Sequence, residues 1–144
     1  MSTKSNVGPG WFRIAVQALV LIASSKEPCS STTIALDVSA HAVFLRRVLA
    51  QLVRGGIVKA REGRAGGYVL ARPADRVPLA DVYRAVKLAN PPEVADLGDC
   101  QSARVATALD DIEAEIEQRL LQVLEQHTIA DIIERSSALV TPEA

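Results

Sequence analysis

Arg46 and Arg47 stand side by side in "LRRVLAQL", and Arg64 stands in "EGRAGGY" among Gly63, Gly66 and Gly67. A guanidinium presents a planar fork that fits phosphate oxygens and the edges of bases. Glycine tolerates positive φ and adds no bulk, so a loop can turn tightly and bring its backbone close to a phosphate. The chemistry these residues suit is recognition of a polyanion, not the making of bonds. Charge along the chain agrees. Residues 46–76 carry eight Lys/Arg against two Asp/Glu, whereas residues 77–144 carry five against thirteen and residues 1–45 three against two, so the net charge of -1 conceals a basic block. Neutralised phosphates release counterions, and that favours binding of such a block to nucleic acid. A solvated basic loop would have the same composition, so charge alone leaves both readings open.

Other reactive residues are sparse. His41 and His127 lie far apart without metal-ligand spacing, and the chain has neither a phosphate-binding Gly-rich loop ending in Lys-Ser/Thr nor a nucleophile elbow. Neither a metal site nor catalysis is expected. Two cysteines, Cys29 and Cys100, cannot build a disulfide framework and should rest as thiols in a reducing compartment. One reading is a redox switch in which they pair, which requires their Cα atoms to come within about 7 Å. The other is two inert thiols, with a small-molecule signal or none. The longest apolar run, "IAVQALVLIA", is shorter than the roughly 20 residues a bilayer span needs, and the N-terminus lacks the pattern of an export signal. A cytoplasmic protein without a membrane span is the expectation.

The elements that must position these residues can be read from periodicity. With 144 residues, 49% hydrophobic and 3% aromatic, the core must be built from Ala, Val, Leu and Ile, which suits small helices packed on helices. Residues 11–24 predict a buried helix, and "SSTTIALDVSA" predicts a short second one capped by Ser or Thr. In "HAVFLRRVLAQLVRGG" Leu45, Val48, Leu49 and Leu52 recur at helical spacing until Gly55-Gly56 ends the pattern. The period then changes: residues 57–61 and 68–71 flank a turn-rich loop and predict a hairpin. Pro78 opens a fourth helix over 78–86, and residues 88–101 predict a linker. From Ser102 to about His127 a long amphipathic helix carries Val105, Leu109, Ile112, Ile116, Leu120 and Val123 on one packing seam, and residues 128–137 form a short final helix.

Three short helices followed by a hairpin make the winged helix-turn-helix order, with the third helix in the major groove and the hairpin loop at a neighbouring groove or the backbone. The predicted fold is mainly α: a winged helix-turn-helix unit over residues 1–87, a linker over 88–101, and a dimerisation helix with a short terminal helix over 102–144. Tyr68 is expected to pack the wing onto the helices.

The segment "TTIALDVSAHAVFLRRVLAQLVRGGIVKAREGRAGGYVLARPADRVPLADVYRAV" is similar to the bacterial Rrf family of winged-helix transcription regulators, most strongly over residues 33–86. The "HAV" and "RRVL" details resemble its YwnA-like subgroup. The resemblance implies a sequence-specific DNA-binding regulator, a repressor, acting as a homodimer whose long helix crosses its partner on a two-fold operator. A helix of about 25 residues spans roughly 37 Å, comparable to the spacing of half-sites one helical turn apart. The alternative is a winged helix that docks a protein and binds no specific DNA. Double-stranded DNA should meet Ser39, His41, Val43, Arg46 and Arg47 at the start of the third helix, and Arg64, Gly66 and Gly67 in the wing. Arg46 and Arg47 differ by about 100° around the helix, so one serves phosphate or a salt bridge. His41 is either a contact or a helix cap. Family members that hold an iron-sulfur cluster present three closely spaced cysteines before the dimer helix. Here that segment has only Cys100, so no cofactor is expected.

Overall fold

The computed structural model describes residues 10–87 and 98–140. Helices α1 (Gly10–Ser24), α2 (Ser31–Val38) and α3 (Ala42–Arg54) come first, followed by strands β1 (Val58–Arg61) and β2 (Gly67–Leu70). A 3₁₀ turn at Ala74–Arg76 leads into α4 (Leu79–Lys87), α5 (Gln101–Glu125) and α6 (Ile129–Ala138). This is the expected winged helix-turn-helix with a long C-terminal helix. Most of the predicted linker, residues 88–97, lies outside the described residues.

α3 buries the stripe that its spacing promised. Ala15, Ala18, Leu19 and Ile22 of α1 meet Ile34 of α2, and Leu45, Val48, Leu49 and Leu52 of α3, in one core with Ile57, Val77, Val82 and Val86. No polar or charged residue is buried among the described residues, so desolvation of polar groups does not offset this burial. Trp11 and Phe12 pack on Tyr83 with ring centroids 5.7 and 5.8 Å away, tying the start of α1 to α4.

Local signals end the elements. Ser30 caps α2, its hydroxyl accepting the Thr33 N–H at 3.1 Å. Ser39, expected at the start of the third helix, instead terminates α2 in the left-handed conformation at φ 54°. The N-cap of α3 is His41, whose extended backbone opens the helix while its side chain makes no capping hydrogen bond. Gly56, at φ 69°, turns the chain out of α3 toward β1.

The hairpin pairs antiparallel, from Val58 opposite Leu70 to Arg61 opposite Gly67. Its inner edge is also covered. Cys29, in the α1–α2 loop, exchanges two backbone hydrogen bonds with Tyr68, at 3.1 and 2.8 Å. Gly67 lies so close to this bridge that a Cβ there would sit 2.6 Å from the carbonyl of Cys29. Its need to be glycine is therefore internal docking of the wing, a reason unrelated to the DNA contact expected of it. Tyr68 packs against the core, as expected.

The C-terminal part divides differently from the sequence reading, which grouped the last two helices. α6 returns to the reading unit: Ile129 is fully buried in the core, and its N–H donates to Val77 O at 3.0 Å while the N–H of Leu79 donates to His127 O at 2.8 Å. A capping box between Thr128 and Asp131 starts α6 at that junction. α5 meets α4 near its C-terminal end, with Leu124 buried there and ion pairs from Arg84 to Glu125 and from Lys87 to Glu117 crossing the contact.

Candidate nucleic-acid interface

α3 presents a solvent face built by exclusion. With Leu45, Val48, Leu49 and Leu52 turned inward, Ala42, Val43, Arg46, Arg47, Ala50 and Arg54 are left exposed. His41 and Ser39 are exposed beside the helix start. Val43 is 72% exposed, a position that burial in the chain's own core does not explain.

The wing places Arg64 at its tip. The N–H of Gly66 donates to Gly63 O at 3.0 Å, closing a turn with Arg64 and Ala65 at its corners. Gly63 takes φ +106°, and a Cβ on Gly66 would crowd the Arg61 carbonyl and stand 2.8 Å from Gly63 O. Two glycines are thus required by the turn that carries Arg64, whose side chain is exposed.

Some residues absent from the expected contact set share these surfaces. Lys59 and Arg61 alternate along β1 with Val58 and Ala60; Val58 is buried, so the two cations lie on the outward face of the wing. Their signal was the period of two in "VKAR". Lys26 and Thr33 line an open cleft of about 810 Å³ between the α1–α2 loop and the wing, together with Cys29, Ser30 and Arg64. That proximity depends on the Cys29–Tyr68 bridge, which no local pattern announces.

α5 supplies a second surface. Val105, Leu109, Ile112, Ile116 and Val123 are each between 49% and 61% exposed, forming an apolar stripe. Leu120, expected on the same seam, is only partly exposed and packs against the chain's own core. Cys29 is buried and Cys100, the N-cap of α5, is exposed.

Residues 11–135 match the family described as Rrf2, iron-dependent transcriptional regulator. The chain belongs to the Rrf2 family. Two curated relatives from Mycobacterium tuberculosis strains, both described as HTH-type transcriptional regulators, are 34% identical over 125 residues, covering 82% of this chain and 75% of theirs. Among solved structures the fold is similar to T. potens IscR, with a TM-score of 0.73, 19% identity and coverage of 99% of this chain and 97% of that one. It is also similar to CymR, the global cysteine regulator of B. subtilis, with a TM-score of 0.65, 22% identity, and coverage of 90% and 97%. This Rrf2 member is thus a transcription regulator and not an enzyme. Among the described residues no helix is long and apolar enough to cross a membrane.

Proposed function

We propose that this Rrf2 member is a homodimeric repressor that reads a two-fold operator in double-stranded DNA, in the cytoplasm, with residues 1–87, onto which α6 packs, as reading unit and 102–144 carrying the pairing helix α5. The observation that carries the DNA reading is the exposed face of α3, with Val43, Arg46 and Arg47, flanked by Ser39 and His41 and by the wing-tip Arg64. An α-helix fits the major groove, and a wing tip fits the adjacent backbone or minor groove. Pairing is supported by the apolar stripe of α5, because a row of half-exposed aliphatic side chains on one helix gains free energy when a second copy covers it. Occupying an operator is sufficient for repression, and a reading head and a pairing helix suffice for occupancy.

A resident iron-sulfur cluster is not part of this reading. Two cysteines in the whole chain do not supply three closely spaced thiolates, and among the described residues no three His, Cys, Asp or Glu stand together as metal ligands. A signal through Cys29 and Cys100 is less well supported than a small-molecule signal or none. Cys29 is buried, with its backbone bridged to Tyr68, whereas Cys100 is exposed.

The test is fluorescence anisotropy of the reduced protein with DNA from upstream of its own gene and with a shuffled duplex, at about 150 mM salt, where specific binding exceeds non-specific by roughly a thousandfold or more. Equal weak binding to both duplexes overturns the reading in favour of a winged helix that docks a protein.

A further inference from the structure

We propose that Arg47, and not Arg46, is the base-reading arginine of α3, contacting a guanine, and that Val43 contacts a thymine methyl about two base-pair steps away. This rests on the DNA reading above. The core fixes the orientation of α3. At about 100° per residue, the four buried residues Leu45, Val48, Leu49 and Leu52 define an inward direction. Val43 and Arg54 then lie within about 10° of the outward direction, Arg47 and Ala50 within about 30°, and Arg46 about 70° to one side. A duplex reaches α3 only from the side that the core leaves open, so Val43, Arg47, Ala50 and Arg54 form the strip that faces the groove floor. Arg46 flanks it, toward the phosphates.

The side chains on this strip suit those roles. Arginine at the centre offers the bidentate fork that matches O6 and N7 of guanine. Val43, 72% exposed near the start of the helix, presents the methyl surface that a thymine methyl prefers. Ala50 adds no bulk between Arg47 and Arg54, so the helix can lie close to the bases. Val43 and Arg47 are four residues apart, about 6 Å along the axis, which is close to two steps of 3.4 Å between base pairs.

The full-length chain is used to select sites from a pool of randomised duplexes, and wild type, Arg46→Ala, Arg47→Ala, Arg47→Lys and Val43→Ala are then titrated by anisotropy against the selected duplex and its single-base variants. The proposal expects a selected site with a fixed G·C pair about two steps from a fixed T·A pair. Arg47→Ala loses about 10- to 100-fold on that site, and replacing the guanine then costs nothing further. Arg47→Lys retains the salt slope and loses the discrimination, because it keeps the charge without the fork. Arg46→Ala weakens all duplexes alike and lowers the salt slope by about one. Val43→Ala relaxes only the thymine position. The proposal is overturned if Arg46→Ala abolishes guanine discrimination, if Arg47→Ala weakens all duplexes equally, or if the site holds no fixed guanine. A wild-type chain that enriches no sequence overturns the DNA reading itself. Both arginines are exposed, and matching circular dichroism melts confirm that the variants are folded.

Discussion

On the proposed pairing through α5, replacing both Ile112 and Ile116 by Asp should leave the protein monomeric. Complete burial of an aliphatic side chain contributes about 1.5–3 kcal/mol, so half-burial of each exposed residue contributes roughly 1 kcal/mol. The stripe of Val105, Leu109, Ile112, Ile116 and Val123 is about half exposed, and two copies bring ten such side chains together. The gross gain is then roughly 10 kcal/mol, set against an association cost on the order of 4–15 kcal/mol. With so narrow a margin, losing four of the ten contacts, about 4 kcal/mol, is decisive, and burying new carboxylates costs more. Asp110, Asp111, Glu113, Glu115 and Glu117 already surround the site, so the added charge is also repelled. The dissociation constant should rise at least about 100-fold, since each tenfold corresponds to about 1.4 kcal/mol. Sedimentation velocity over a dilution series measures this, and an unchanged far-UV circular dichroism spectrum confirms that the variant is folded. A double variant that associates as tightly as the wild type refutes the pairing surface, and so does a wild type that is monomeric at every concentration.

Gly67→Ala should lower stability by about 2–4 kcal/mol, because its Cβ displaces the Cys29 backbone and breaks two hydrogen bonds to Tyr68. Thermal melts should show a fall of roughly 6–15 °C, well beyond that of Gly10→Ala, whose Cβ meets open space at an ordinary backbone angle; equal melts for the two variants would count against wing docking at Gly67. Thr128→Ala removes one half of the capping box of α6 and should cost about 1 kcal/mol in urea denaturation. By contrast, a double-mutant cycle on Arg84 and Glu125 should give a coupling within about 1 kcal/mol despite their 2.8 Å contact, because both side chains are about half exposed; a larger value would mean that this pair helps to fix α5 on α4. Arg64→Ala should reduce the salt slope of DNA binding by about one, and an unchanged slope would remove the wing tip from the interface.

Periodicity carried most of the architecture. The stripe of Leu45, Val48, Leu49 and Leu52 determined which side of α3 is buried, and the change of period at Ile57 marked the wing, because side-chain direction within one element depends only on its own geometry. The same local rule made Arg64 legible as a turn residue between required glycines. Tertiary structure alone decided the relations between elements. Cys29 joins the wing through backbone groups that every residue type except proline possesses, so its side chain gives no sign of the bridge. Leu120 and Val123 fit one seam by spacing, yet Leu120 packs inward because α4 lies against that part of α5. α6 follows α5 in sequence but belongs to the first core, through Ile129. The sequence by itself determined what each helix must hide, since burial of its stripe follows from spacing. Only the folded chain decided which neighbour hides it, and which apolar row, that of α5, is left exposed.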